Sequence, residues 1–497
     1  MAPLAESLLY MMTPIAILWL LIGVTIGVIA GAIPGLGGGI MMALVLPMTF
    51  VMGNIDAQIL LIAIYTGGVS GGLISAVLLG VPGTPAQVMT VLDGFQMTRR
   101  GRATQALSIG ITASFVGGVF SWILLASLSA PLADVASKFQ SFDYFSFIFL
   151  GLTLIAFAGS ESLSRGLISG FFGIFVAMVG FDTVSATNRF TFGIPTLTNG
   201  FDILPVIIGA FAVRQILTDV GNPSSNFKKI PETSVIDVIK NLLLAFKYPL
   251  NLFRSSLIGS WIGLLPGIGA NIGAVISYSV AKSSSKEKHL FGKGSEQGIV
   301  ASESGNNATV GGALMPMISL GIPGSGQDVL LMAALTLHYV EPGPLLIYEH
   351  PDVFYGIISA YLFANIFMLL IMVSLVRYLA KIVNVPRYIL SPLVLLFCVV
   401  GVVSANNRLT DVWVMLFFGI IGFAMTRFKY PLAPFIIGYV LAPLAEDRLR
   451  SALMGSGGDW IPLITRPVAI VCFAISVVLI CLPLIKSSSS FRKKHSS

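Results

Sequence analysis

Residues 31–39 read GAIPGLGGG, and residues 263–271 read GLLPGIGAN. The second copy lies 232 residues after the first, and Gly27, Gly31 and Gly35 fall on Gly259, Gly263 and Gly267. A second pair of copies, VSGGLISAVLLGVPGTP at 69–85 and VGGALMPMISLGIPGSG at 310–326, is shifted by 241. Proline lacks a backbone donor and clashes with the preceding turn, and glycine favours non-helical backbone. Each Pro-Gly pair therefore interrupts an apolar helix, and the two halves carry the same two interruptions in the same order.

The loops after corresponding motifs differ in charge. Residues 49–57 hold only Asp56, whereas 282–293 hold Lys282, Lys286, Lys288 and Lys293 against Glu287. Residues 95–102 hold Arg99, Arg100 and Arg102, whereas 338–352 hold Glu341, Glu349 and Asp352. Residues 131–143 are mixed, with Asp134, Lys138 and Asp143, whereas 377–387 hold Arg377, Lys381 and Arg387. Homologous halves with reversed loop charge mark an inverted-topology repeat, an architecture of secondary transporters with a site near the bilayer midplane. By the positive-inside rule, 95–102, 214–254, 282–293, 377–387 and the basic tail face the cytoplasm. The acidic loop 338–352 then lies outside, as does the N-terminus, and the C-terminus lies inside. The expected organisation is a first transmembrane repeat over 1–217, a cytoplasmic linker over 218–252, and a second, inverted repeat over 253–450. A last helix and basic tail occupy 451–497.

Composition agrees. Of 497 residues, 55% are hydrophobic and 10% charged, and mean hydropathy is +0.90; a soluble chain is about 25% charged. These values exclude a soluble enzyme, a disordered chain and a disulfide-knit secreted domain. A net charge of +7 is too small to point to nucleic acid. Charge-free runs at 7–30, 57–80, 103–130, 255–281, 353–376, 388–407 and 467–485 approach or exceed the ~20 residues that cross a bilayer. Shorter runs such as 203–213 and 329–340 need a tilt or a break. Only helices satisfy their backbone in such segments. The expected fold is an all-α polytopic membrane protein, an inverted-topology repeat built with Pro-Gly-broken helices and helical hairpins. The stretch 7–52 reads as one hairpin, and the charges leave open whether its second arm crosses or re-enters.

A helix restarting after a break presents free N–H groups at its positive end, which suits carboxylate or phosphate. Carbonyls on the other side of a break suit Na+. Candidate substrate-binding positions are Pro34, Gly35, Gly37, Pro82, Gly83, Thr84, Pro266, Gly267, Gly269, Asn271, Pro323, Gly324 and Ser325. Tyr65 and Thr66 correspond to Asn306 and Asn307 in the other half. With the acids Glu303 and Asp328, costly at membrane depth, they are the ion-coupling candidates. Gly23 and Gly27 fit the small-xxx-small pattern of close helix contact instead. Asp93 reads as a loop or cap residue.

Enzyme motifs fail. GKGS at 292–295 is not a nucleotide-binding loop, because Gly294 follows Lys293 and Glu287 stands where the first glycine belongs. GVSGG at 68–72 matches a nucleophile elbow around Ser70, but it lies in an apolar span and the four histidines lie in loops or the tail. Cys398, Cys472 and Cys481 sit in apolar runs and imply neither metal nor disulfide.

Several long motifs carry a resemblance. GAIPGLGGG…LVLP at 31–47, GVPGTPAQVMTVLDGFQMTRRGRATQAL at 80–107, the ordered series from PGIGANIGAVISYSVAK at 266 to GIPG at 324, and PGPLL at 342–346 resemble the large permease subunit of the tripartite tricarboxylate transporters. The likeness runs over about residues 15–450. It implies a bacterial inner-membrane secondary carrier for citrate-like or other small carboxylates. It also implies a small four-span membrane subunit, a periplasmic solute-binding protein and a Na+ or proton gradient, with no other cofactor. Pro34, Gly35, Gly37, Pro82, Gly83, Thr84, Pro266, Gly267, Gly269, Asn306, Asn307, Pro323 and Gly324 fall on the family's motif positions, while Gly80, Gln87 and Ser325 depart from its usual residues. The residues themselves leave two rivals: a stand-alone carrier or channel for another small anion, and a membrane enzyme or assembly factor. The mode of motion, elevator or rocking, stays open.

Overall fold

The computed structural model describes residues 2–33, 36–158, 163–182, 187–221, 234–265, 269–382, 392, 395–400, 402–403 and 408–478. Among them the chain is helical apart from one short antiparallel ribbon, Gly180–Asp182 against Thr187–Arg189. Among the described residues five helices are long and apolar enough to cross a membrane: Pro14–Ala32, Asn54–Leu79, Ala103–Ala136, Pro351–Leu379 and Thr410–Arg427. The protein is an all-α polytopic membrane protein.

The repeat is visible helix by helix. In the first half α1 is Pro14–Ala32, α2 Gly37–Val45, α3 Asn54–Leu79, α4 Val88–Arg99 and α5 Ala103–Ala136. In the second half α6 is Pro249–Gly263, α7 Gly269–Ser284, α8 Glu296–Leu320, α9 Gly326–Leu337 and α10 Pro351–Ile382. The central helices α3 and α8 end alike. Gly80 (φ 68°) and its counterpart Gly321 (φ 71°) occupy the left-handed region, where an L side chain would be strained and glycine closes the helix. The run 7–30 is two helices rather than one. Ala2–Tyr10 stops before Thr13, whose side chain accepts from the Ala16 N–H at 3.4 Å and caps α1, with Pro14 at its first position. The second hairpin arm, α2 plus the tighter turn Leu46–Val51, is roughly 25 Å long at standard helical rises. That falls short of a full hydrocarbon crossing of ~30 Å.

Glycine lets α1 touch α3. A Cβ on Gly27 would strike the Ile64 carbonyl, and one on Gly31 the Gly68 carbonyl. The counterparts behave alike: Gly259 lies on the Gly305 carbonyl and Gly263 on the Thr309 carbonyl. These four contacts superimpose under the two sequence shifts, so α6 lies on α8 as α1 lies on α3. The fifth labelled helix of each half packs on the other half's centre. Gly117 of α5 rests on Ser304 of α8, and α10 packs along α3 and α1. Both α3 and α8 are buried along nearly their whole length. Large apolar side chains such as Leu18, Leu370 and Trp261 are left exposed on the outer helices, as lipid contact requires.

The chain forms two compact units, each drawn from both sequence halves. One comprises Met1–Ala133, Leu204–Leu264 and Gly269–Phe423, and contains all ten labelled helices apart from the last residues of α5. The other comprises Asp134–Ile203, Leu265–Ile268 and Ala424–Ser497. In this second unit, helices Ser141–Ala158 and Leu163–Ala177 pack on Leu432–Gly455, with Gly173 against the Phe435 carbonyl. Its polar ends are fastened by charge-assisted bonds: Arg466 to Asp143 at 2.5–3.0 Å, Arg189 to Glu446 at 2.8 Å, and Arg450 to Asp182 at 2.9 Å.

Candidate functional site

Both Pro-Gly tips between a central helix and the next helix are built on one plan. After Gly80 the chain runs through Pro82, Gly83 and Thr84 into the short turn Pro85–Gln87 and α4. Gly83 sits on the Gly31 carbonyl and on Gly72. After Gly321 it runs through Pro323, Gly324 and Ser325 into α9, and Gly324 sits 2.9 Å from the Gly263 carbonyl when given a Cβ. The glycines at the tips are thus needed for close packing as well as for the break.

Each tip is followed by a Ser/Thr with a carbonyl- or carboxyl-bearing residue three positions on, the pattern of a capping box. In the first half the Thr84 N–H donates to Gln87 Oε1 at 3.1 Å, the Thr84 hydroxyl donates to the same oxygen, and Gln87 Nε2 donates to the Val69 carbonyl at 2.6 Å. In the second half Ser325 Oγ accepts from the Asp328 N–H at 3.3 Å. The Asp328 carboxylate turns back toward the Ser325 and Gly324 N–H groups, although neither oxygen completes a hydrogen bond.

The opposite half reaches each tip. Tyr65 of α3 places its hydroxyl 2.9 Å from Ser325 Oγ and beside Asp328. Its counterpart Asn306 of α8 lies 3.5 Å from the Val69 carbonyl that Gln87 also uses. The hairpin arms cross over in the same way: α2 packs on α9, with a Cβ on Gly39 falling 3.6 Å from Gln327, and α7 packs on Pro85–Gln87. The structure therefore brings Tyr65, Ser325 and Asp328 to one tip, and Thr84, Gln87 and Asn306 to the other. Thr66 is buried beside Tyr65 with its hydroxyl unpaired. Gly37 stands at φ 60° with open space around its Cα. Pro34, Gly35, Pro266 and Gly267 lie outside the described residues, as do the side chains at Gly269 and Asn271.

Glu303 and Asn307 sit deeper between the halves. Glu303 Oε1 accepts from Thr90 at 2.5 Å and Oε2 from Ser114 at 3.0 Å. Asn307 accepts from Ser70 at 2.6 Å and donates to the Glu303 carbonyl at 3.1 Å. The Tyr361 hydroxyl of α10 donates to the Asn307 carbonyl at 3.1 Å. Ser70, the false nucleophile, is thus a fastener between α3 and α8. The sequence marks Gln87 only as a departure from the family's usual residues, and it does not mark Thr90 or Ser114. The Thr-x-x-Gln and Ser-x-x-Asp spacings after the two Pro-Gly pairs were the available signal for Gln87; Thr90 and Ser114 left none.

Asp93 is not a loop residue. It lies within α4, buried, and reaches the loop before α8. Its Oδ1 accepts from the N–H groups of Gly292, Gly294 and Ser295 at 2.8–2.9 Å, and its Oδ2 from the Tyr278 hydroxyl at 2.8 Å. Gly292 (φ 83°) and Gly294 (φ 97°) turn those donors inward, forming the kind of backbone concavity that holds anions. GKGS cradles an internal carboxylate rather than a phosphate. Nearby, burial and the Glu296 carboxylate push the Tyr248 phenol up to about 12, so it stays a donor to Glu296 at 3.2 Å while Arg102 holds the other oxygen. Asp93→Ala is expected to cost roughly 3 kcal/mol or more, because several charge-assisted bonds go together. A detergent-solubilised variant melting with the wild type would refute this.

Comparisons with known proteins agree with the motifs. The model of the tripartite tricarboxylate transporter TctA family matches residues 17–437. An Agrobacterium vitis protein described as an uncharacterized 52.8 kDa protein in the TAR-I ttuC' 3' region is 33% identical over 483 residues, covering 97% of this chain and 96% of that protein. A second from the same organism, described as an uncharacterized protein in the TAR-II ttuC' 3' region, is 34% identical over 234 residues, 47% of this chain and 97% of that one. No solved structure matches. The family is one of transporters, not enzymes, and the chain belongs to the tripartite tricarboxylate transporter TctA family.

Proposed function

We propose that the chain is the permease subunit of an ion-gradient-driven importer of small carboxylates, citrate-like tricarboxylates or related organic acids. A periplasmic solute-binding protein delivers the acid to the outer face, and a small four-span subunit completes the membrane part. The chain spans the bacterial inner membrane with its N-terminus outside and its C-terminus in the cytoplasm. The acid binds between the broken tips of the two halves.

The observation that carries this reading is the crossed arrangement of the tips. Each Pro-Gly tip meets the hairpin arm and the central helix of the opposite half, through Tyr65 at one and Asn306 at the other. Interrupted helices from two inverted repeats meeting in this way are the usual ground plan of a carrier's site. Neutral hydroxyls and amides hold an anion without binding it irreversibly.

Uptake of labelled citrate, tartrate and other di- and tricarboxylates by cells carrying all three components tests the proposal. One of these acids should accumulate, and collapse of both the Na+ and the proton gradient should abolish its accumulation. Uptake that persists undiminished with both gradients collapsed would overturn the coupled mechanism. Equal uptake without the binding protein would favour a stand-alone carrier.

A further inference from the structure

The two tips differ in charge, although they share a plan. Gln87 and Asp328 are counterparts under the 241-residue shift, and each turns back on its own tip. The first half does this with a neutral amide, so a negative charge is not needed to close the turn. The second half nevertheless carries a carboxylate, fully buried. The helices packed around it bring no Lys or Arg: none occurs before Arg99 or from 294 to 376, the stretches that supply α2, α3, α8 and α9, and the segment that meets Gly326 from outside them does so with the Phe211 ring. The groups facing Asp328 are the Ser325 and Tyr65 hydroxyls and the Ser325 and Gly324 N–H groups. Tyr65 comes from α3; α2 and Leu46–Val51 contribute no titratable side chain, and α8 contributes Glu303, whose carboxylate is held by Thr90 and Ser114. A buried carboxylate with neither a cation nor completed hydrogen bonds is unfavourable, and a helix N-terminus offsets only part of its desolvation.

We propose that Asp328, with the Ser325 and Tyr65 hydroxyls, forms the binding site of the coupling cation, a single positive charge supplied as Na+ or as a proton. This deepens the carrier reading. With the site unfilled, the Asp328 charge repels an organic anion from the second tip; with the cation in place the tip becomes as neutral as the first. Coupling then follows from electrostatics at one end of one helix. Tyr65 adds a hydroxyl from the opposite half, so filling the site also draws the two repeats together.

The test needs no knowledge of the transported acid. The thermal midpoint of the full-length chain in detergent is measured against NaCl at constant ionic strength, with choline chloride as the balance, and separately across mildly acidic to mildly alkaline pH. A ligand that binds only the folded chain raises its stability. The wild type should be stabilised saturably by Na+, which identifies a sodium site, or selectively by acid, which identifies a proton site. Asp328→Asn keeps the size and the oxygen facing Ser325, and should weaken the apparent cation affinity more than about ten-fold or abolish the acid response. Tyr65→Phe should weaken either response to a lesser degree, and it decides the matter if Asp328→Asn does not fold. A wild type indifferent to both cations overturns the site, as do variants that respond like the wild type. Failure of the carrier reading would appear separately, as absence of uptake by the wild-type three-component system.

Discussion

Alanine at Gly31 is expected to push α1 off α3 and leave little folded protein. The added Cβ would collide with the Gly68 carbonyl oxygen and come within 3.1 Å of the Gly72 nitrogen. Both are backbone atoms of a buried helix, so no rotamer change relieves the contact. The Gly31 carbonyl is in turn the surface on which tip residue Gly83 rests, so the displacement reaches the proposed site. Overpacking of a close-packed core costs about 1–3 kcal/mol and occasionally more; with backbone on both sides the upper end applies. Gly263→Ala should do the same in the second half, where the Cβ meets the Thr309 carbonyl and lies 3.0 Å from Gly312 Cα. Gly37→Ala is the control. Gly37 sits at φ 60° with nothing within 4 Å of an added Cβ, so only the left-handed backbone opposes it, at roughly 1–2 kcal/mol. Thermal midpoints and monodisperse yield in detergent rank the three. Gly31→Ala melting with the wild type, or Gly37→Ala ranking worst, would show that these glycines serve conformation rather than contact.

The same glycines mark how far the sequence could be read. Repetition at 232 and 241 residues anticipates the pairing of α1–α5 with α6–α10 and the matched helix ends at Gly80 and Gly321, because a repeated motif folds the same way twice. Sequence could not show that α3 and α8 are the buried centre. Both are apolar or small all round, and a helix enclosed by protein carries no stripe to say what it faces. The small-xxx-small spacing identified close contact at Gly27 without naming Ile64 as its partner. Among the site residues, Tyr65, Ser325 and Asp328 meet at one tip, while Asn307 turns out to be bonded within the interior of the bundle. The pairing of Thr90 and Ser114 with Glu303 was illegible, since three helices must first assemble before those hydroxyls have any relation to it. Asp93 was misread for a related reason: its partners are backbone N–H groups about 200 residues away, and backbone donors leave no signature in composition. The two compact units are likewise assembled from both halves, a partition that only tertiary contacts can make.

Removing the Glu303 side chain should be the most damaging change among the buried polar residues. Its two oxygens are committed to Thr90 of α4 and Ser114 of α5, so one carboxylate fastens α8 of the second half to two helices of the first. Glu303→Ala deletes both bonds and opens a void; Thr90 retains Ser302 within reach at 2.8 Å, while Ser114 is left in the interior. Lost charge-assisted hydrogen bonds and the cavity together should cost roughly 3–5 kcal/mol, enough to lower the melting point sharply and to abolish uptake. Glu303→Gln separates fastening from ion handling. Glutamine fills the same volume, accepts from one hydroxyl, and donates to the other, since a hydroxyl can turn to accept. If Glu303 serves as a fastener, Gln should restore most of the stability and retain gradient-driven uptake, because the cation is held at Asp328. A Gln variant that folds and melts like the wild type, yet takes up the acid without dependence on either gradient, would transfer the coupling role from Asp328 to Glu303. The two acids make opposite demands on neutral substitution: tolerance at Glu303 and loss of coupling at Asp328.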